Sequence, residues 1–247
     1  MHEKCGAPMT RRPAPAAHAL RARRIGLPYQ DDRSMQTTAN GVARWRIYSW
    51  WAAWVGVAFF AVYPTLNWLS DRRADRWHLY FDAELGLPFV PAFIWVYLSM
   101  YALFVAPVFL VPARHLPALG KQLIVGTLIC GLVFAAFPGE LGFARSLPTD
   151  ALLAQVYATI FSLDRPHNLV PSLHVLFSAA IVFACAPFAA LMLRVALFVW
   201  LGLIGASTVL VHQHHLLDVA AALMLVWALR RYFTIDDALI LGEKSDA

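Results

Sequence analysis

The chain has 247 residues, of which 60% are hydrophobic and 14% are charged. Soluble domains average about half apolar and a quarter charged residues, so this composition excludes an ordinary soluble domain and indicates a membrane protein. Six spans of about 20 residues would use about half of the chain, which leaves no room for a second globular domain.

The net charge of +5 comes largely from arginines among the first 46 residues. We interpret this segment as a tail that faces anionic lipid in the cytoplasm, and not as a nucleic-acid site. Residues 1–44 are rich in Ala, Pro and Arg without apolar periodicity, which predicts a disordered cytoplasmic tail. The expected domains are therefore this tail, a catalytic domain over 45–235 and a cytoplasmic C-terminal tail over 236–247.

The apolar runs predict an all-α fold, a six-span transmembrane bundle with short interfacial helices. Segment 77–90 is either an interfacial segment that roofs the site or a loop. The spacing of apolar residues over 152–161 predicts an amphipathic helix lying on the membrane, N-capped by Thr149. The predicted spans cover residues 48–67, 91–111, 122–137, 169–188, 195–211 and 215–232.

The distribution of basic residues predicts the orientation of these spans. Fifteen Lys and Arg residues fall on the side of the N-terminus and five on the other side. Positive charge stays inside, so both termini are expected in the cytoplasm and the opposite face outside it. We expect an integral protein of the plasma membrane, the inner membrane in a bacterium.

Two polar segments, 164–174 and 207–218, enclose about thirty almost wholly apolar residues. Such a length crosses a bilayer twice if the chain turns near Pro187 and Arg194, which brings both segments to one face. His174 would then face His214. Asp218 follows His214 by four residues and so lies on the same side of a helix.

These segments carry three motifs that resemble the type 2 phosphatidic acid phosphatase superfamily, especially its inositolphosphotransferase and sphingomyelin-synthase-like members. The superfamily blocks are Lys-x6-Arg-Pro, Pro-Ser-Gly-His and Ser-Arg-x5-His-x3-Asp. The resemblance covers roughly the second half of the chain. This sequence lacks the Lys of the first block, the Gly of the second block and the Arg of the third block. The matching residues are Arg165, Pro166, Pro171, Ser172, His174, Ser207, His214 and Asp218, while Ala158, Leu173 and Thr208 depart from the pattern.

The resemblance implies a reaction through a covalent histidine intermediate. His214 would attack phosphorus, His174 would protonate the leaving oxygen, and Asp218 would orient His214. Arg165 would hold the phosphoryl oxygens. Further substrate-binding candidates are Ser172, Asn168, Arg145 and Ser207, with Arg145 the better replacement for a missing cation and Ser207 alternatively a packing residue.

The resemblance implies no cofactor. The expected partners are a phospholipid or polyprenyl phosphate and, for transfer, an alcohol acceptor. Because a phosphodiester carries less charge than a monoester, the two missing cations favour headgroup phosphotransfer over hydrolysis of a lipid phosphate monoester.

Other interpretations of the same residues stay open. His214 and Asp218 would also suit a structural pair at a helix end, and His174 a polar residue at the membrane surface. His212, His215, His174 and His214 would suit a transition metal or haem. A non-catalytic lipid-binding or transport subunit is the remaining class.

Overall fold

The computed structural model describes the backbone of residues 32–233 and the side chains of residues 41–233. All regular elements in this part of the chain are helices, apart from one isolated bridge between Trp77 and Gly139. The described part of the chain divides into two units, with the boundary between Ala43 and Arg44. The second unit contains every site residue predicted from the sequence.

Helix α1 covers Asp32–Asp71 and contains the first predicted span, 48–67. Within the segment 1–44 that the sequence predicts as a tail, the backbone of residues 32–44 is helical. Ala, Arg, Met and Gln are good helix formers, and a helix needs no apolar periodicity to continue beyond the membrane. Residues 1–31 and the predicted tail over 236–247 lie outside the described part.

The second predicted span, 91–111, is a series of short helices and not one helix. A 3₁₀ turn over Pro91–Phe93 leads into α2 (Ile94–Leu98), α3 (Met100–Leu103) and α4 (Ala106–Leu110). Pro107 has no N–H to donate to the preceding turn, and the Ser99 hydroxyl donates to the Val96 carbonyl at 2.5 Å. Both features interrupt the helical hydrogen-bond pattern.

Helix α5 covers Leu116–Ala136 and extends the third predicted span, 122–137, at its start. Helix α6 covers Ala151–Leu163, close to the predicted amphipathic helix. Its N-cap is Asp150 and not Thr149, because an Asp150 carboxyl oxygen accepts a hydrogen bond from the Leu153 N–H at 2.9 Å. Tyr157 on α6 is fully buried against Ile94 and Tyr97, so this helix packs on the bundle.

The core forms around helix α7, Leu173–Cys185, which is buried on nearly every face. It contacts α4, α5, α8 (Leu191–Leu210) and α9 (Leu216–Tyr232). These three C-terminal helices fall within or close to predicted spans four to six. The chain reverses after α7 through a 3₁₀ turn over Ala186–Phe188, near the predicted turn at Pro187.

Three helical segments in the described part are long and apolar enough to cross a membrane: Gly41–Asp71, Ala113–Ala136 and Leu191–Leu210. They correspond to predicted spans one, three and five. The apolar helices over Pro91–Leu103, Ala151–Leu163 and Leu173–Phe188 are shorter. Large apolar side chains on these segments are exposed, among them Phe60, Leu132 and Met192, as expected for helices that face lipid.

Candidate active site

A cavity of about 640 Å³ opens between α1, the 91–110 segment, α5 and α7. It runs along α1 from Tyr63 to Trp51, which corresponds to about 18 Å at the helical rise per residue. Most of its wall is apolar. Apart from Tyr48 and Tyr101, the polar lining side chains form one group with Tyr63, and these are Tyr97, Asp164, Asn168, His174 and His214.

His214 is held at this cavity by a carboxylate. Its Nδ1 lies 3.0 Å from Asp218 Oδ2, and both side chains are buried. The same carboxyl oxygen accepts a hydrogen bond from the His215 N–H at 2.9 Å. With Nδ1 directed to Asp218, the other ring nitrogen, Nε2, makes no hydrogen bond with any described residue. A carboxylate on Nδ1 fixes the tautomer that leaves a lone pair on Nε2.

The backbone before α9 explains how His214 reaches this position. After α8, His212 adopts a left-handed conformation with φ of 55°, which turns the chain sharply. The Thr208 carbonyl then accepts hydrogen bonds from the N–H groups of Gln213 and His214, each at 3.0 Å. Thr208 stands at the arginine position of the motif pattern that the sequence resembles, and its hydroxyl donates to the Gly205 carbonyl at 2.8 Å.

His174 lines the same cavity from the first turn of α7. The N-cap of α7 is Ser172, and its N–H donates to the Asp218 carbonyl at 3.1 Å. This bond joins the starts of α7 and α9. The His174 ring stacks on Tyr97 at 3.9 Å, and Nδ1 lies 3.2 Å from the Tyr97 hydroxyl. Its Nε2 is buried and has no hydrogen-bond partner among the described residues.

Asp164 is a cavity residue that the sequence analysis missed. Its Oδ1 accepts hydrogen bonds from the Tyr63 hydroxyl at 2.7 Å and from the Asn67 amide at 2.9 Å. Protein surrounds Asp164 on most sides, and this burial raises the pKa of its carboxyl group; the hydrogen bond from Tyr63 acts in the opposite direction. One signal was available, because Asp164 is the only acidic residue between Asp150 and Asp218.

The two arginines proposed to bind phosphate occupy different positions. Arg145 is half-buried, covers the Phe161 ring and donates from Nη1 to the Asp164 carbonyl at 2.7 Å. Burial lowers the pKa of Arg145, while the neighbouring Asp164 acts to raise it. Arg165 does not line the cavity: its side chain is 50% exposed, and Nη1 donates to Asp71 at 2.8 Å. The expected Arg165 clamp is therefore not assembled at this cavity.

Of the remaining substrate-binding candidates, Ser172 and Ser207 bond within helices and Asn168 lines the cavity. The Ser172 hydroxyl accepts the Val175 N–H at 3.4 Å as a helix cap, and the Ser207 hydroxyl donates to the Ile204 carbonyl at 2.7 Å. Both serines are fully buried and neither lines the cavity, so their assignment to substrate binding stays a prediction. Asn168 does line it. Its amide nitrogen donates to the Tyr63 carbonyl at 3.1 Å, which fixes the orientation of the amide.

The other histidines of the third motif face the 77–90 segment. His215 stacks on Tyr80 at 4.3 Å and on Phe143 at 4.5 Å, and its Nδ1 lies 3.3 Å from Glu84. His212 stacks on Phe143 at 4.0 Å and does not line the main cavity. The segment thus contacts the start of α9. No group of three or more His, Cys, Asp or Glu in the described residues is arranged to hold a metal.

No protein-family model matches this chain, and no curated protein or solved structure is significantly similar to it. The chemical capacity of the cavity follows from its own groups. His214 offers an aimed lone pair backed by Asp218, and His174 offers a second imidazole on the same cavity. The long apolar part of the cavity suits a hydrocarbon chain.

Proposed function

We propose that this protein is an integral membrane enzyme that cleaves or transfers a lipid phosphate ester through a phosphohistidine intermediate. One observation carries the proposal: His214, with Asp218 on its Nδ1, and His174 both line the polar end of a long apolar cavity. A nucleophile, its orienting carboxylate and a second imidazole are the groups that nucleophilic phosphoryl transfer requires. The resemblance to the type 2 phosphatidic acid phosphatase superfamily assigns them the same roles.

In the first step, His214 Nε2 forms a bond to phosphorus and the bond from phosphorus to the leaving oxygen breaks. His174 enters this step as the imidazolium, with its Nδ1–H donated to the Tyr97 oxygen and its Nε2–H given to the leaving oxygen. The bound phosphate diester supplies the negative charge that favours this protonated form. Asp218 remains hydrogen-bonded to the Nδ1–H of the phosphorylated, cationic His214.

In the second step, the now neutral His174 takes a proton from the incoming hydroxyl. That hydroxyl oxygen attacks phosphorus, the bond to His214 breaks, and both histidines return to their starting states. With an alcohol as acceptor the product is a new phosphodiester. With water the product is a phosphate monoester.

The membrane arrangement that fits this chemistry has six crossings. Helices α1, α5 and α8 provide three of them, and the 91–110 segment, α7 and α9 provide the shorter remaining ones. With both termini in the cytoplasm, the polar end of the cavity opens to the extracytoplasmic face of the plasma membrane. The apolar part of the cavity then lies at the depth of the lipid chains.

Charge at the cavity favours a phosphodiester donor over a monoester. Among the described residues, no Lys or Arg lines the cavity, and Asp164 adds a carboxylate to its polar end. A monoester brings up to two negative charges near neutral pH and a diester brings one, so the diester is repelled less. Headgroup phosphotransfer is therefore our first choice.

The test compares purified protein on a phosphatidyl diester and on the phosphatidic acid with the same acyl chains, with and without an added alcohol. We expect faster turnover of the diester, acceleration by the alcohol, and loss of both in the His214→Ala variant. Acid-labile phosphate on the wild-type protein, absent from His214→Ala, would identify the intermediate. Faster phosphate release from phosphatidic acid, unaffected by alcohol, would instead identify a monoester phosphatase.

A further inference from the structure

The polar end of the cavity carries hydrogen-bond acceptors that lack donors. Asp164 receives its two hydrogen bonds on Oδ1, and none of the described residues donates to Oδ2. The Asn168 amide oxygen is buried without a partner, and its orientation is fixed because the amide nitrogen donates to the Tyr63 carbonyl. Both residues line the cavity. A buried acceptor without a donor, such as the Asn168 oxygen, costs free energy unless a ligand supplies the donor.

The Asp164 carboxyl group also forms no ion pair with a described Lys or Arg, although the charge of Arg145 acts on it at longer range. Arg145 donates to the main-chain carbonyl of Asp164, and no hydrogen bond joins it to the carboxyl oxygens. Arg165, the next residue, is paired with Asp71. A carboxylate enclosed by protein is normally balanced by a paired charge.

From these two observations we propose that Asp164 and Asn168 bind a protonated primary amine on the headgroup of the lipid donor, as in an ethanolamine phosphodiester. This assignment rests on the proposed function and names its substrate class. An alkylammonium group has three N–H donors and no acceptor, so it matches acceptors that lack donors. Its positive charge balances Asp164 and offsets the absence of a lining cation next to the phosphate.

Two other headgroups match the cavity less well. A polyhydroxy headgroup supplies donors, but each hydroxyl also brings acceptor lone pairs and no charge to balance Asp164. A quaternary ammonium carries the charge but has no N–H for the Asn168 oxygen. The primary amine alone satisfies both requirements.

The experiment measures binding separately from turnover. Full-length His214→Ala protein in detergent is titrated with phosphatidylethanolamine, its N-acetyl derivative, phosphatidylcholine and phosphatidylglycerol, all with the same acyl chains, and the melting temperature gives relative affinities. Asp218→Asn is a second inactive background if His214→Ala does not fold. We expect phosphatidylethanolamine to bind roughly tenfold or more tightly than the other three lipids.

The variant that tests the assignment is Asp164→Asn, which keeps an Oδ1 acceptor but removes the charge. We expect the preference for phosphatidylethanolamine over phosphatidylglycerol to fall toward one. Glu140→Gln, an exposed acidic residue away from the cavity lining, is the matched control and should keep the preference. Equal binding of phosphatidylglycerol or phosphatidylcholine, or a preference unchanged in Asp164→Asn, would overturn the assignment.

Release of diacylglycerol by the wild-type protein is measured on the same lipids. Preferential binding of phosphatidylethanolamine without any release would support the headgroup assignment and contradict the proposed function. Release from all four lipids without preference would contradict the headgroup assignment and leave the proposed function standing.

Discussion

At the residue scale, the two arginines near the cavity should differ in importance. Arg145→Gln removes the donor to the Asp164 carbonyl and a positive charge beside the cavity, whereas Arg165→Gln removes a half-exposed pair with Asp71. Exposed ion pairs contribute little, so we expect Arg165→Gln to reduce turnover less than about threefold and Arg145→Gln more than about tenfold. Initial rates on the preferred lipid provide the measurement. A larger loss in Arg165→Gln would show that Arg165 moves to the phosphate when the lipid binds.

A second prediction concerns the stability cost of Asp164. Burial raises the pKa of its carboxyl group above the ordinary value of 3.8, so the ionised form is less favourable in the folded protein than in the unfolded chain. This destabilisation is present at pH values above the folded-state pKa and disappears at pH values below the ordinary pKa. In the lipid-free protein, Asp164→Asn should therefore melt at a higher temperature than wild type at pH 8.

The difference between the two proteins should shrink as the pH falls toward 4, because wild-type Asp164 then becomes protonated as well. Melting temperatures in one detergent across this pH range provide the test. Glu140→Gln serves as the control, since Glu140 is exposed. A lower melting temperature for Asp164→Asn at pH 8 would mean that the charged form stabilises the fold.

At the element scale, the 77–90 segment holds the start of α9 through Glu84. One carboxyl oxygen of this buried residue accepts the Leu216 N–H at 2.8 Å and lies 3.3 Å from His215 Nδ1. A carboxylate at a helix N-terminus satisfies free N–H groups and interacts favourably with the helix dipole. His214 lies just before this helix, so the 77–90 segment supports the proposed nucleophile.

We expect Glu84→Ala to destabilise the protein by about 1–2 kcal/mol and to lower turnover, because both the cap and the charge are lost. Glu84→Gln should have a smaller effect, since the amide oxygen still accepts the Leu216 N–H. Chemical or thermal unfolding and initial rates measure the two effects, with Glu140→Ala as the exposed control. Turnover that stays at the wild-type level in Glu84→Ala would show that the 77–90 segment does not influence His214.

At the scale of the whole molecule, the proposed topology puts the loop before α6 and the turn after α7 on opposite sides of the membrane. Ser146 and Ala190 are exposed in these two connections. In a cysteine-free background, Ser146→Cys should react with an impermeant thiol reagent in intact cells, and Ala190→Cys only after lysis. The reverse pattern would invert the topology, and labelling of both in intact cells would exclude an odd number of crossings between them.

The sequence by itself determined the helical class and the approximate positions of most helices, because long apolar runs leave a chain in lipid little choice but helix. It also predicted that His214 and Asp218 are neighbours, but they meet through the cap of α9: Asp218 is the third residue of the helix and His214 precedes the N-cap, His215.

Tertiary structure alone decided which residues reach the cavity. Asp164 and Arg165 are adjacent in the chain, yet Asp164 lines the cavity and Arg165 pairs with Asp71, because consecutive residues in an extended loop point in different directions. Tyr63 and Asn67, which donate hydrogen bonds to Asp164, belong to α1 and lie about a hundred residues away in the chain. Glu84 reaches α9 over a similar sequence distance. Such contacts depend on how helices pack, and no local pattern of apolar and polar residues specifies them.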